Sequence, residues 1–354
     1  MQISISTESP NLDLLRSFAV LAVLADHSLL MFADAKPWLT LAAVSIGNSG
    51  VLLFFVHTAL VLMVSLQRRG STVRQFYIQR LFRIYPLALV TVAACVAFRV
   101  PADLLHCFRE PFQFHGWGWL VSNILLIQNV TGAPSVISSL WSLPLEVQMY
   151  LLLPFVYEFA TSRRPIPKLL GFASLAMALA MAHFSVMWPI PCFLSGVLAF
   201  VLWRSRRMLP AVLLPVAIFG FVVINFLGYA FFHGFNFGIA WIICAAFGFL
   251  LPRFGELKGR TVRIIFHQIA KYSYGVYLSH IPLLWLCLRV IPGIPQAVRW
   301  SLFASLVVLI PVLLYQLIER PMIGYGRRIS ERITIPAGPD ARPRVCRVTP
   351  VPVT

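Results

Sequence analysis

Charge is scarce in this sequence. Only 12% of the 354 residues are Asp, Glu, Lys or Arg, and the two acidic types together number 12. A soluble domain carries about twice that charged fraction. Hydrophobic residues make up 59% of the chain, and its mean hydropathy is +0.82. The composition therefore excludes an ordinary soluble domain and indicates a protein that is embedded in lipid.

Common signatures of metal, redox and nucleic-acid sites are also missing. The six cysteines form no C-x-x-C pair, and no H-E-x-x-H or comparable histidine spacing occurs. We therefore expect free thiols and no metal cofactor. The net charge is +17, but no basic stretch stands on a soluble domain with interleaved aromatic residues. Nucleic acid is therefore not an expected partner.

Long apolar runs dominate what is present. A run of about 20 residues is enough to cross the roughly 30 Å hydrocarbon core of a bilayer. The sequence predicts an all-α, polytopic integral membrane protein with about ten transmembrane helices, at residues 12–33, 45–66, 83–99, 145–161, 168–186, 190–204, 209–227, 231–251, 272–290 and 298–318.

The Lys and Arg residues are distributed unevenly between alternate loops. If the N-terminus is cytoplasmic, 24 of the 29 fall on the inner side of the membrane and 5 on the outer side. The positive-inside rule then predicts that both termini lie in the cytoplasm.

The predicted spans form one membrane domain, residues 12–325, which follows a cytoplasmic N-terminal segment at residues 1–11. The longest external segment, about residues 100–144, is rich in aromatic residues. We expect it to lie along or re-enter the outer face, where it could cover a site. Residues 326–354 are basic and Pro-rich, and they predict a disordered cytoplasmic tail.

Ionisable residues interrupt the first apolar run, in RSFAVLAVLADHS at residues 16–28. An α-helix turns 100° per residue, so Arg16 and His27 share one face and lie about 16 Å apart along the axis. Such residues inside a membrane are functional candidates, with a hydrogen bond between helices as the structural alternative. Asp26 points about 100° away from His27, so we expect it to pair with another helix instead of orienting that ring.

A pair of arginines occurs in FYIQRLFRIYP, at the cytoplasmic entrance to the third span. Arg80 and Arg83 are one helical turn apart, so both project from the same side. Paired guanidinium groups suit phosphate, because each gives bidentate hydrogen bonds and keeps its charge. The alternative is that they are positive-inside anchors, the role expected for Arg68, Arg69 and Arg74.

Three further polar residues are candidates because they lie inside apolar runs. Glu146 lies in SLWSLPLEVQMYLLLPF, four residues after Ser142, and His280 lies in YSYGVYLSHIPLL, one turn after Tyr277. His57 lies near the middle of the second span. A buried carboxylate needs a cation, other helices or a polar ligand.

The order of these motifs resembles that of the acyltransferase-3 family of bacterial integral membrane O-acyltransferases, over residues 11–325. LDLLRSFAVLAVLADH is similar to the family's L-D-G-x-R opening and its histidine, matching Arg16 and His27. RLFRI is similar to its R-x-x-R motif, matching Arg80 and Arg83.

Three later motifs extend the resemblance along the chain. WSLPLEVQMYLLLP resembles the family's W-S-L-x-x-E-x-x-x-Y-L-x-x-P element and matches Glu146. YSYGVYLSHIP resembles its S-x-x-x-Y-L-x-H-x-P element and matches His280, and IERP at 318–321 is like its closing E-x-P.

The resemblance implies transfer of an acyl group, most simply acetyl, from cytoplasmic acyl-CoA to a hydroxyl of a carbohydrate or glycolipid at or across the bacterial plasma membrane. Arg80 and Arg83, with Arg16, would hold the donor phosphates. His27 would act as general base, because imidazole titrates near neutral pH; a covalent acyl-His step stays open. Glu146 and His280 would position the sugar or polarise the thioester carbonyl.

Two other functions fit the same topology. In a transporter, the intramembrane Arg, His and Glu groups would form a proton or substrate path. The sequence shows no internal repeat of the kind that marks many transporters, which argues against this. In a non-catalytic scaffold, the polar groups would only join helices, and every motif match would be a coincidence.

Overall fold

A computed structural model describes residues 9–32, 36–69, 72–102, 108, 110–182, 187–203, 208–291 and 293–333. Within these ranges the chain is helical and forms no β-sheet; one isolated bridge joins Leu209 to Phe254.

The first half of the chain begins with three long helices and continues with two short ones. They are α1 Pro10–Leu30, α2 Pro37–Arg69, α3 Val73–Ala97, α4 Trp117–Ile124 and α5 Gln128–Thr131, followed by a 3₁₀ turn at Ser138–Trp141.

The second half contains eight helices. They are α6 Leu143–Ala160, α7 Pro165–Met181, α8 Ile190–Leu202, α9 Leu213–Phe232, α10 Phe237–Leu250, α11 Arg260–Trp285, α12 Gln296–Leu314 and α13 Arg320–Arg332. A 3₁₀ turn at Leu251–Arg253 follows α10, and π-helical turns follow α11 at Leu286–Val290 and α12 at Tyr315–Glu319.

A helix lies at each of the ten predicted spans. Five helical stretches in the described residues are long and apolar enough to cross a membrane: Pro37–Gln67, Val73–Ala97, Ser138–Ala160, Leu213–Phe232 and Gln296–Arg332. Three shorter apolar helices lie at Pro165–Met181, Ile190–Leu202 and Phe237–Arg253. The fold is therefore that of an all-α membrane protein, whereas the number of crossings and the side of the termini stay predictions.

Close helix packing places α2 at the centre of the bundle, against α1, α8 and α9. A Cβ atom at Gly50 would lie 2.6 Å from the Ala19 carbonyl oxygen of α1, and one at Gly196 of α8 would collide with the Val56 carbonyl oxygen. Small residues let helices in a membrane approach closely enough for backbone contact. These two positions hold α1 and α8 directly against α2.

Helix α3 begins ten residues before the third predicted span. The Thr72 side chain accepts a hydrogen bond from the Gln75 amide, and the Gln75 side chain accepts one from the Thr72 amide. This capping box starts the helix at Val73, so Arg80 and Arg83 lie well inside it. The search for apolar runs did not predict this start because the first turns of α3 are rich in arginine.

The predicted tail boundary at residue 326 was wrong, because α13 continues to Arg332. Gly326 packs against the Phe82 side chain of α3, and Ser330 is fully buried. The Gln79 side chain of α3 donates a hydrogen bond of 3.0 Å to Ser330 Oγ. The basic residues of α13 lie on the opposite face, which made the segment look like a solvated tail; residues 334–354 lie outside the described residues.

The aromatic segment before α6 folds back on itself instead of crossing as a long helix. The Asn123 side chain donates to the Pro134 carbonyl oxygen and accepts from the Val136 amide, and Trp119 Nε1 donates to the same Pro134 oxygen. Tyr85 of α3 donates to the Leu125 carbonyl oxygen at 3.0 Å. This bond fixes the segment to the middle of α3.

Candidate functional site

A pocket lies between α1, α2, α6 and α11. Its walls combine an apolar stripe of α1, which includes Ala19 and Val23, with polar side chains from α6 and α11. Arg16 lies at one end of that stripe. The pocket is therefore apolar along its length and charged at one end.

Arg16 is held in place by α11. Its Nε donates a hydrogen bond of 2.7 Å to Ser273 Oγ, and the Ser273 hydroxyl donates in turn to the Ala270 carbonyl oxygen at 2.8 Å. The Phe54 ring of α2 lies 6.0 Å from the guanidinium carbon. Since Ser273 occupies only Nε, the terminal nitrogens of Arg16 can still bind a ligand in the pocket.

Glu146 lies in the pocket wall and is buried. The Tyr150 hydroxyl, one turn along α6, donates a hydrogen bond to Glu146 Oε1. Ser142 Oγ lies 2.6 Å from the Tyr277 hydroxyl, which joins α6 to α11 above Glu146. Gln148 has no part in the pocket, because its amide pairs with that of Asn129.

The two arginines of α3 converge on the same charged end. Arg80 and Arg83 both lie within electrostatic range of Glu146 and Tyr150, and Arg83 also lies within range of Arg16. The adjoining α11 is fixed to α3 by a hydrogen bond of 2.8 Å from the Tyr274 hydroxyl to the Ile84 carbonyl oxygen. The fold thus brings together Arg16, Arg80, Arg83 and Glu146, which are far apart in the sequence.

Two further ionisable residues belong to this end of the site. His57 is buried and lies within electrostatic range of Arg16 and Arg83. Its position near the middle of the second predicted span is consistent with this burial. Glu319 is also buried and within range of both arginines, although it was not among the predicted site residues. The signal was present in the IERP motif, and the π-helical turn Tyr315–Glu319 directs this carboxylate inward. π-helical turns are frequent at functional sites.

A histidine pair lies beyond the other end of the pocket. His27 Nδ1 of α1 is 2.6 Å from His280 Nε2 of α11, and both residues are buried. His280 Nδ1 lies 3.0 Å from the Val276 carbonyl oxygen. Arg16 and His27 therefore both face α11, as their spacing on one helix predicts.

The hydrogen bonds of this pair determine its tautomers. A carbonyl oxygen only accepts, so His280 Nδ1 carries the hydrogen that is shared with Val276. In the neutral ring Nε2 of His280 is then an acceptor, and His27 Nδ1 must be the donor to it. Nε2 of neutral His27 is left with its lone pair. This is the protonation state that a general base requires.

Asp26 lies beside the free nitrogen of His27. Its Oδ2 is 3.7 Å from His27 Nε2, too far for a hydrogen bond, so His280 and not Asp26 orients the ring. The carboxylate packs onto α2 at Gly47, where any Cβ atom would collide with Oδ2. Asp26 therefore packs on another helix, but the pairing that the sequence led us to expect is not seen among the described residues.

The two ends of the site are separated along the helices. From Arg16 to His27 the axial distance is about 16 Å, and from Ser273 to His280 it is about 10 Å. Among the described residues, no group of three His, Cys, Asp or Glu side chains could hold a metal ion. The arrangement consists of a charged end, an apolar pocket and a basic nitrogen, in that order.

Comparison with protein families confirms the resemblance. Residues 9–316 match the acyltransferase-3 family, described as an acyltransferase domain. The chain belongs to this family.

Two relatives show how far individual similarities extend. The acyltransferase MdmB of Streptomyces mycarofaciens is 34% identical over 167 residues, which are 45% of this chain and 41% of MdmB. The peptidoglycan O-acetyltransferase OatA of Listeria monocytogenes is 28% identical over 199 residues, 53% of this chain and 29% of OatA. The chain thus covers less than half the length of these relatives, and no solved structure is significantly similar to it.

Proposed function

We propose that this protein is a membrane O-acyltransferase that moves an acyl group, most simply acetyl, from acyl-CoA to a hydroxyl of a carbohydrate or glycolipid. The observation that carries the proposal is the order of groups along α1 and α11. Arginines lie at one end of the pocket, and the unprotonated nitrogen of His27 lies beyond the other. Membership of the acyltransferase-3 family supports the same reaction.

The donor enters from the arginine-rich end, which the positive-inside rule places in the cytoplasm. Arg80 and Arg83 bind phosphate groups of CoA, because planar guanidinium groups give bidentate bonds to phosphate oxygens. The apolar stripe of α1 accommodates the pantetheine arm and carries the thioester toward His27. Acyl-CoA is thus the only cosubstrate the proposal requires.

At the other end, His27 Nε2 takes the proton from the acceptor hydroxyl as its oxygen attacks the thioester carbonyl carbon. The new C–O bond forms and the C–S bond breaks. The CoA thiolate leaves and receives the proton from the His27 imidazolium, which restores the neutral ring. His280 keeps Nδ1 of His27 protonated throughout, so that Nε2 is the nitrogen that exchanges the proton.

Arg16 and Glu146 act on the donor in the pocket and not on the proton transfer at His27. Arg16, oriented by Ser273, directs its terminal nitrogens to the donor. Glu146 offsets part of the positive charge of Arg16, Arg80 and Arg83, and Tyr150 fixes its carboxylate. This lowers the mutual repulsion of the arginines when no donor is bound.

The surroundings of the acceptor end suit a sugar. Trp188 packs against Trp141, Phe235 and Phe237, with ring centroids 6.4, 5.0 and 5.6 Å away, and Tyr229 packs against Phe235 at 6.0 Å. Trp141 adjoins Ser142 in the pocket wall. Aromatic side chains offer flat apolar faces with polar edges, which match a ligand that has both.

The test is turnover by the purified full chain in lipid nanodiscs with radiolabelled acetyl-CoA. We expect release of free CoA and transfer of label to glycolipid or glycan extracted from bacterial envelopes. The His27→Ala variant and the Arg80→Ala/Arg83→Ala double variant should lose this turnover while keeping their fold. Transport of label into sealed vesicles without any acyl transfer would contradict the proposal and indicate a transporter.

A further inference from the structure

Asp26 is the charged group nearest the basic nitrogen of His27, and the mechanism above does not use it. Its side chain is 11% exposed, and its Oδ1 accepts no hydrogen bond from any described residue. An unpaired buried carboxylate is strongly destabilising. A purely structural aspartate at a helix contact would be expected to have a donor, and the facing residue is Gly47, which has no side chain.

Two acceptor atoms lie close together here. Neutral His27 Nε2 accepts a hydrogen bond and is 3.7 Å from Asp26 Oδ2, a second acceptor. A ligand that brings two adjacent donors can bond to both. The hydroxyl oxygens of a vicinal diol lie about 2.8 Å apart, one hydrogen-bond length, so two adjacent hydroxyls can face these acceptors side by side.

We propose that Asp26 selects acceptors with two adjacent hydroxyl groups, one of which His27 deprotonates while its neighbour donates a hydrogen bond to the Asp26 carboxylate. The inference rests on the acyltransferase function proposed above and narrows its acceptor to a vicinal diol. During transfer only the first hydroxyl loses its proton, and it gains the acyl group. The second hydroxyl keeps its proton and holds the acceptor in register.

The amide side chains near Asp26 bond to other groups. Tyr229 of α9 lies within electrostatic range of Asp26, and its hydroxyl accepts a hydrogen bond from Asn48. Asn225, one turn earlier on α9, donates to the Ser45 carbonyl oxygen and to Ser49 Oγ. The side-chain amides of Asn48 and Asn225 therefore donate within α2 and between α2 and α9, and not to Asp26.

The test compares acceptors that differ by one hydroxyl. The full chain in nanodiscs is supplied with acetyl-CoA and either a methyl pyranoside panel with vicinal diols or the matching monodeoxy sugars, in which the pair is interrupted. Transfer is measured by mass spectrometry. We expect wild type to favour the diols by about 10- to 100-fold in kcat/KM, the range expected of a hydrogen bond to a charged group.

Asp26→Ala should abolish that preference through a higher KM for diols, with the rate on monodeoxy sugars and the KM for acetyl-CoA unchanged. Asp26→Asn, which keeps one oxygen acceptor, should retain part of the preference for diols. Asp13→Asn is the matched control on α1, because Asp13 faces His267 at 3.1 Å on the exposed surface. It should leave every parameter unchanged.

Three results would overturn the proposal. Wild type with no preference for diols would do so, as would an Asp26→Ala variant that slows transfer to both acceptor classes equally. The third result is that neither acceptor class is acetylated, although acetyl-CoA is still hydrolysed or its acetyl group is still transferred to envelope glycan. This result would refute the preference for vicinal diols but not the acyltransferase function. Failure to consume acetyl-CoA with any acceptor would instead refute the acyltransferase function.

Discussion

Arg16 Nε donates a hydrogen bond of 2.7 Å to Ser273 Oγ, and this bond fixes α1 against α11 at the charged end of the pocket. The same two helices meet again at His27 and His280. Two polar contacts on one helix interface therefore set the spacing between the donor end and the acceptor end. Changes at either contact should affect different kinetic constants.

Ser273→Ala should raise the KM for acetyl-CoA with little change in kcat. The substitution removes the hydrogen bond that orients Arg16, and a hydrogen bond of this kind contributes about 1.5–3 kcal/mol, or roughly 10-fold or more. Steady-state kinetics at varied acetyl-CoA concentrations would measure this change in KM. Ser305→Ala is the control, since Ser305 is exposed on α12 and bonds only the Ser301 carbonyl oxygen. An unchanged KM in Ser273→Ala would show that Arg16 does not need this partner.

Arg80→Ala and Arg83→Ala should each raise the KM for acetyl-CoA by about 10-fold or more, because a charged bidentate contact is lost. Lysine should rescue only in part, since an ammonium group lacks the planar fork. Arg74→Ala is the matched control, because Arg74 is exposed on the first turn of the same helix. If a folded Arg80→Ala/Arg83→Ala variant has the wild-type KM for acetyl-CoA, the two arginines do not bind the donor and serve only as topology anchors.

The sequence predicted relationships within one helix well and relationships between helices poorly. The shared face of Arg16 and His27 follows from 100° per residue. The pairing of His27 with His280 does not, because it depends on the relative height of two helices whose residues are 253 positions apart. Motif resemblance identified His280 as a candidate but could not reveal its contact with His27.

The ends of helices were also hard to predict from apolar runs. Helix α13 has a polar composition, and its contact with α3 through Gly326 and Ser330 buries one face of it. Helical stability in proteins comes mainly from such tertiary packing. Glu319 was missed for a related reason, because its burial depends on the π-helical turn between α12 and α13.

Truncation after residue 335 should leave acyl transfer intact, whereas Gly326→Val should impair it. A Cβ atom at residue 326 would lie 2.5 Å from Phe82 Cβ, so α13 must move away from α3, which carries Arg80 and Arg83. We expect a lower melting temperature and a higher KM for acetyl-CoA. Gly324→Val is the control, because a Cβ atom at that position meets no neighbour within 4 Å. Loss of activity on truncation at normal protein levels would give residues 336–354 a role.

Cysteine labelling should place Arg69 and Arg207 on the cytoplasmic side and residues 105–135 on the outer side. The positive-inside distribution of Lys and Arg is the reason for this expectation. Single cysteines at Arg69, Arg207 and His115, in a background without the natural cysteines, would be probed in intact cells with a membrane-impermeant maleimide. His115→Cys should react and the other two should react only after permeabilisation. Labelling of all three from one side would refute the topology, and with it the side from which the donor enters.

His27→Ala should lower kcat by about 10²- to 10⁴-fold while acetyl-CoA still binds, because a general base contributes about that much. His280→Leu should cost less, since His27 remains but its tautomer is no longer held. His280→Gln should recover part of the loss, because its side-chain oxygen can accept from His27 Nδ1. Single-turnover kinetics would separate these effects from donor binding. If His27 were only a structural link between α1 and α11, His27→Gln would fold and turn over near the wild-type rate, and the base would have to be sought elsewhere in the site.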